Sequence, residues 1–222
     1  MGEPPLPAEL HAKLPPEPDR ARLAAIDPAY HHLAVGTLLW RVYGRGGGYP
    51  LPWNGFRYFG PVAAMRFDHH DPDENGTARA QERGILYGAW HGPTCLAEVF
   101  QAMRTIERHT RDPWLVAFRT VAPVALLDLT GTWPTRAGAS MALASGPRAS
   151  ARNWSRAIYE VYPEVQGLLY PSSMAANRPS FAFFERATPA LPAEPAFHRA
   201  LADPLLFPWL RVVAADFGYG LT

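Results

Sequence analysis

Apolar positions along the chain fall in short runs broken by glycine, proline or charge, and the spacing within each run predicts an element. Thr37 to Tyr43 is apolar and rich in strand formers, and it halts at the glycine-rich stretch Gly44 to Gly48. Ala64 to Asp68 and Gly84 to Trp90 read as short strands on either side of a polar insertion, His69 to Arg83. Pro93 suits the opening of a helix, where a missing N–H costs nothing. Leu96, Val99, Phe100 and Met103 then follow at helical spacing and predict one buried stripe. Trp114 to Thr120 and Val124 to Leu129 predict two more strands, parted by Pro123. A second helix is expected from Ala149 to Tyr162, with Trp154, Ile158 and Val161 inward. Gln166 to Tyr170, Phe181 to Arg186 and Leu210 to Ala214 complete the expected strands. Strands outnumber helices and do not alternate with them regularly, which predicts an α+β fold built on a single mixed sheet.

Proline changes the picture at the N-terminus. Of 24 prolines in 222 residues, seven lie between Pro4 and Pro28, so residues 1–30 are expected to form an irregular arm ahead of a packed domain over 31–222. With 48% hydrophobic and 18% charged residues, the chain has the means to bury a core. No apolar run approaches the ~18 residues of a membrane span, and Met1 to Leu14 lacks the order of a secretory signal. The expectation is a soluble, cytoplasmic protein without a membrane partner. A formal charge of +1 argues against nucleic-acid binding by bulk electrostatics. Lys13 is the sole lysine, so 20 of the 21 basic residues are arginines, whose planar fork suits carboxylates and phosphates. A single cysteine, Cys95, excludes an internal disulfide and a thiolate metal cluster.

Several familiar motifs fall short. Gly44 to Gly48 lacks the final glycine of a dinucleotide fingerprint, and Pro50 and Pro52 stand where its helix would start. Asp71-Pro-Asp-Glu-Asn-Gly76 with Glu82 matches a calcium-loop pattern by letter, but Pro72 and the strand pattern after Glu82 remove its helical context. An acidic turn is the expectation there, and no metal site is assigned. Cys95 near His91 reads as packing rather than as a nucleophile. No nucleophile elbow is present.

Three polar positions stand out. Arg41 interrupts Leu38-Leu39-Trp40-Arg41-Val42-Tyr43 and shares a strand face with Leu39 and Tyr43, so burial demands an anion: a bound one, or a carboxylate in a structural ion pair. Glu98 lies about 200° around the helix from Leu96, facing either solvent or a cleft, and the expected first-turn position favours an anion. Tyr170-Pro171-Ser172-Ser173 ends a strand in a turn that presents two hydroxyls.

Taken in order, Arg41, the Arg66-Phe67-Asp68 run, Leu86-Tyr87-Gly88-Ala89, Leu96-Ala97-Glu98-Val99 and Tyr170-Pro171-Ser172-Ser173 resemble the RES-domain family. Trp154-Ser155-Arg156-Ala157-Ile158-Tyr159 and Phe183-Phe184-Glu185-Arg186 extend the likeness, from about Leu38 to about Ala187. The resemblance implies a fold related to ADP-ribosyltransferases and an activity on NAD, which is substrate rather than cofactor. It implies cleavage of the nicotinamide–ribose bond by a toxin of a toxin–antitoxin pair, with NAD phosphorylase activity (inorganic phosphate as co-substrate) ahead of ADP-ribosyl transfer to a protein. A catalytically silent binding domain is the reading from another class. The implied partner is a helix-turn-helix antitoxin.

On this resemblance Arg41, Glu98 and Ser172 are the expected catalytic residues, and Arg66, Tyr87 and Ser173 the expected binding residues. Arg41 and Arg66 would hold pyrophosphate or phosphate. Tyr87 would stack on the nicotinamide or its ribose, and Glu98 would hold ribose hydroxyls and stabilise a cationic sugar. Ser172, favoured over Ser173, would bond a phosphate or the ribose. The proline-rich arm has two readings, a cover for the site or a means of self-association into a homo-oligomer.

Overall fold

In the computed structural model, residues 16–222 are described, so residues 1–15 of the expected arm lie outside the described part. The remainder of that arm is structured. Asp19 caps helix α1 (Arg20–Ala24) by accepting from the backbone of Ala21 and Arg22, and Leu23 enters the core at 1% exposure. Strand β1 (Tyr30–Leu33) begins one residue ahead of the expected boundary.

The elements that follow are β2 (Leu38–Gly44), β3 (Arg57–Gly60), β4 (Arg79–Ala89), α2 (Gly92–Val99), β5 (Thr105–Ile106), β6 (Pro113–Arg119) and β7 (Val124–Asp128). Short helices α3 (Trp133–Ala137) and α4 (Ala142–Ser145) lead into the long helix α5 (Arg148–Val161). Strands β8 (Gly167–Pro171), β9 (Pro179–Phe184) and β10 (Phe197–Ala200), helix α6 (Phe207–Phe217) and strand β11 (Gly220–Leu221) complete the order. One nine-stranded sheet runs β1-β7-β8-β9-β4-β2-β6-β10, with β3 added beside β4. Its pairs are antiparallel except β7 with β8, and β5 and β11 form a small parallel pair.

The sheet is forked. β2 meets β4 at a single position, Trp40 opposite Ala89, while β3 joins the same edge of β4 opposite Ile85. Leu86, Tyr87 and Gly88 therefore face a gap whose margins are the residues after Trp40 on β2 and Arg57 on β3. Gly88 permits the close approach at the closed end: an added Cβ would lie 2.5 Å from the Trp40 carbonyl oxygen and collide with the Phe181 ring. One apolar cluster (Leu39, Leu86, Phe118, Phe181 and neighbours) spans both halves of the sheet. A second, under α5, contains Trp154, Ile158 and Tyr170. A third, beneath α2 and α6, contains Leu96, Leu115 and Leu210.

Three expected elements are corrected. Ala64 to Asp68 forms turns, because the Asp68 carboxylate draws the chain back by accepting from Val62 N at 2.6 Å and pairing with Arg57. Leu210 to Ala214 is helical: Leu206, Leu210, Val213 and Ala214 are buried at helical spacing, Pro208 lies in the first turn, and Gly218 closes the helix in a left-handed conformation. The apolar stripe of α2 stops short because the helix ends at Val99; Val99 and Met103 are 52% and 73% exposed. In addition, the polar insertion His69 to Arg83 contributes the first half of β4. Its Asp73 carboxylate is consumed by a local turn, accepting from Asn75 N, Thr77 N and Thr77 Oγ1 at 2.6–2.9 Å. Among the described residues no helix is long and apolar enough to cross a membrane.

Candidate active site

Three elements converge on the fork. β2 carries Arg41 just past Trp40, β4 carries Tyr87 on the gap edge, and α2, entered directly from β4, carries Cys95 and Glu98. The hairpin loop after β8 brings Ser172 against α2 from the other side. Ser172 Oγ donates to Glu98 Oε1 at 2.5 Å and accepts from Met174 N and Ala175 N at 3.2 and 3.0 Å. This hydroxyl is fully buried and its bonding capacity is in use.

Glu98 is held at both oxygens. Gln101 Nε2 donates to Oε2 at 3.3 Å and to the Glu98 carbonyl at 2.7 Å, and Arg148 in turn donates to Gln101 Oε1 at 3.1 Å. The expected first-turn position is corrected. Glu98 is the penultimate residue of an eight-residue helix, so its environment comes from Ser172, Gln101 and neighbouring arginines rather than from the helix N-terminus.

Arg41 is the anomaly of the site. Its Nε and Nη1 are buried and have no hydrogen-bond partner among the described residues. Burial pushes its pKa down to about 10, with the nearby Cys95 and Tyr43 acting the other way and Arg57 adding to the fall. The structural ion pair considered for it is therefore not formed with any described carboxylate. Cys95 feels opposite fields from Arg41, which favours its thiolate, and from Glu98, which opposes it. Its thiol donates to the Trp40 carbonyl at 3.1 Å and is pushed up to about 12 by burial, so it is a packing group and not a thiolate nucleophile.

Of the expected binding residues, Arg66 is half-buried beside Glu98 and Tyr170. Its Nη1 is committed to the carbonyls of Leu143 and Gly146 at 3.1 and 2.7 Å, tying down the segment before α5. Burial lowers its pKa, Arg148 adds to that, and Glu98 and Tyr170 oppose it. The Tyr87 hydroxyl is buried without a hydrogen-bond partner among the described residues, and burial raises its pKa so that it stays a neutral phenol. Ser173 is exposed, outside this contact network. Of the five, the structure joins Glu98 and Ser172 directly; Arg41 and Tyr87 flank the fork on β2 and β4, and Arg66 is bonded to the segment before α5.

Sequence reasoning missed Arg57, Asp68 and Gln101. Arg57, on the far margin of the fork, pairs with the buried Asp68 at 2.8 Å. Burial works against ionisation of Asp68, yet His70, Arg57 and Val62 N–H outweigh it and hold the pKa at about 2. The adjacent Arg66-Phe67-Asp68 run was visible, but only the fold of 61–70 turns its acid toward β3. Gln101 follows the end of α2 in a turn, and only that turn returns its amide to the Glu98 carboxylate and carbonyl. No group of three His, Cys, Asp or Glu residues suited to a metal ion occurs among the described residues.

A RES-domain model matches residues 38–209, from the start of β2 into α6. Among solved structures, the M. tuberculosis MbcT–MbcA toxin–antitoxin complex contains a chain that is similar at a TM-score of 0.55 with 18% identity, covering 82% of this chain and 92% of that one. At that identity the likeness concerns the fold, and it agrees with the mixed-sheet α+β architecture. No curated protein matches the chain.

Proposed function

The chain belongs to the RES-domain family, and on that premise we propose that it is an NAD-consuming enzyme that cleaves the nicotinamide–ribose bond, acting as the toxin of a toxin–antitoxin pair. Phosphorolysis is the reaction we favour; transfer of ADP-ribose to a protein is the second reading. The observation that carries the proposal is the buried, unpartnered part of the Arg41 guanidinium on β2, the strand that packs against the helix α2 carrying the Glu98–Ser172 pair. A buried cation without an anion is costly, and a phosphate or pyrophosphate supplies the missing acceptor in the bidentate geometry arginine favours.

The chemistry asks for positioning and electrostatics. As the C1′–N bond breaks, its electron pair leaves with nicotinamide, which departs neutral, and positive charge develops on the ribose. Glu98 faces that charge as a carboxylate and accepts from ribose hydroxyls. Ser172 acts through Glu98 rather than on substrate, since its hydroxyl is already engaged on three sides. With Gln101 it fixes the carboxylate before substrate arrives, so little reorganisation is left for the reaction. Arg41 holds the pyrophosphate or the incoming phosphate, whose oxygen forms the new bond to C1′. Arg66 supplies a second positive field that acts on Glu98, and Tyr87 offers a ring and a neutral hydroxyl near Arg57 at the gap.

The test is incubation of purified protein with NAD, with and without inorganic phosphate. Phosphate-dependent release of nicotinamide with formation of an ADP-ribose phosphate ester supports phosphorolysis. Label transferred from NAD to protein supports the second reading. No loss of NAD in either condition, with Glu98→Ala and wild type indistinguishable, overturns both. A helix-turn-helix antitoxin is proposed as the restraint on such an activity; co-purification with the product of a neighbouring gene tests it.

A further inference from the structure

Pro4-Pro5-Leu6-Pro7 sets prolines three residues apart, the repeat of a polyproline II helix, and Glu3 and Glu9 flank the run. A hollow of about 370 Å³ lies between Tyr43, Arg45, His198 and residues 50–53. We propose that this hollow docks the Pro4–Pro7 run of a second copy of the chain, so that two copies exchange their N-terminal segments.

Proline-rich segments dock into grooves lined by aromatic planes, because a chain already restricted to polyproline II loses little entropy on binding. The hollow has such planes. Tyr43 on β2 and His198 on β10 stack at 5.8 Å and 17°, with Tyr43 Oη and His198 Nε2 2.7 Å apart. Trp53 is packed on Phe118 at 5.5 Å, and Pro50, Leu51 and Pro52 complete the apolar lining. These rings are anchored before a ligand arrives, so docking has little left to order. The rim also carries the complementary charge. Arg45 is exposed and lies 4.6 Å over the Trp114 ring. Arg111 packs along the same glycine loop, with its Cγ 3.8 Å from the place of a Cβ on Gly47. The loop is pinned there, because Arg45 N and Gly46 N donate at 3.0 Å to the carbonyls of Asp112 and Arg111. Two guanidinium groups against the Asp112 carboxylate leave the rim positive, opposite in sign to Glu3 and Glu9.

The hollow and the start of the described chain lie on opposite faces of the sheet. On β9, Phe181 and Phe183 enter the cluster that contains Leu39, Tyr43 and Trp53, whereas Ala182 and Phe184 enter the cluster under α5. Pro16 is on the α5 side, its carbonyl taken by Trp154 Nε1 at 2.8 Å. From β9 to β10 there are four strand spacings, about 19 Å. The nine residues from Pro7 to Pro16 extend at most about 30 Å. Passage round the sheet and past a helix layer about 10 Å thick exhausts that reach within one copy. A second copy removes the limit, and mutual exchange between identical chains closes the pair symmetrically.

The test is the mass of the full chain by sedimentation velocity over a concentration series, with the unfolding midpoint checked for each variant. Wild type should pass from monomer to dimer. The triple variant Pro4→Ser, Pro5→Ser, Pro7→Ser should dimerise at least about tenfold more weakly. Arg45→Glu should weaken the dimer to a similar extent, because it sets like charges against Glu3 and Glu9. Combining Arg45→Glu with Glu3→Arg and Glu9→Arg should restore it. A synthetic peptide of residues 1–10, titrated into the triple variant, should change tryptophan fluorescence to saturation, since Trp53 lines the hollow. Adding Arg45→Glu to that protein should cost the peptide at least about tenfold in affinity. A monomer at every concentration, a dimer indifferent to the proline and Arg45 changes, or a peptide that does not bind overturns the proposal. If Arg45→Glu lowers the unfolding midpoint, the serine variant and the peptide decide.

Discussion

Replacing Arg41 by methionine should make the protein more stable and inactive at once. The guanidinium has two sealed, unpartnered nitrogens, and burial brings its pKa from 12.5 to about 10. A displacement of that size corresponds to about 3 kcal/mol against the charged form. A minor part of the side chain still meets solvent, which makes that figure an upper bound. Methionine keeps the length and removes the charge, so Arg41→Met should gain about 1–3 kcal/mol. For a chain of this size each kcal/mol moves Tm by about 2–4 °C. Urea unfolding reads the change as a higher midpoint at unchanged slope. Pyrophosphate supplies the complementary measurement: it should raise the midpoint of wild type by binding the folded state and leave Arg41→Met with only the small salt effect common to both. NAD turnover should fall to background. A loss of more than about 1 kcal/mol in Arg41→Met, or an equal pyrophosphate response in the two proteins, would refute the reasoning, because the guanidinium would then have a native partner or no anion to meet.

Ser172→Ala removes a charge-assisted bond to Glu98 and the acceptor of two backbone N–H groups, so denaturation should show a loss of about 1–3 kcal/mol. Steady-state kinetics on NAD should show kcat down by about ten- to a hundredfold with KM little changed, as expected of a group that positions Glu98. Cys95→Ala should retain any NAD cleavage seen in wild type, and the wild-type protein should resist thiol alkylation under native conditions, since the buried thiol is pushed up to about 12. Acid should destabilise the fold in two stages. Burial lowers His69 from 6.5 to about 4, so between those values the unfolded chain takes up a proton that the folded one refuses, at a cost of up to about 3 kcal/mol. Glu185 and Asp68, both held at about 2 against ordinary values of 4.5 and 3.8, contribute stability above those values that is lost as pH falls toward 2. Urea midpoints from pH 7.5 to 4 should fall in wild type and flatten in His69→Phe. Gly88→Ala should unfold or misassemble the fork, because its Cβ would meet the Trp40 carbonyl at 2.5 Å; loss of the cooperative transition in circular dichroism would report it.

Strands whose two faces are both buried, such as β6, β8 and β9, were legible as short apolar runs, a pattern that a buried helix segment can also give. α6 was misread for the same reason. Leu210-Arg211-Val212-Val213-Ala214 taken alone is short and rich in β-branched residues, and its helical period shows only when Leu206 is included. Arg41 was legible as an anomaly, since a charge on an apolar strand face must be accounted for. What it faces was not, because the fork depends on where β2 leaves β4, a pairing between residues 40 and 89 that no local pattern encodes. Ser172 and Glu98 were each visible as oddities, but their direct bond joins positions far apart in sequence. On the function proposed above, that bond makes Ser172 a support for the acid.

The first described residues carry a practical consequence for anyone shortening the chain. Tyr162 Oη donates to the carbonyls of Leu23 and Ile26 at 2.6 and 2.9 Å, and Trp154 Nε1 donates to the carbonyl of Pro16 at 2.8 Å. Both donors sit on or beside α5, so a cut placed at His31 on grounds of proline content would strip three acceptor carbonyls from these two donors and remove Leu23 from the core. Limited proteolysis should accordingly spare the stretch from Pro16 to Ala29, and a trimmed recombinant protein should start no later than Pro16.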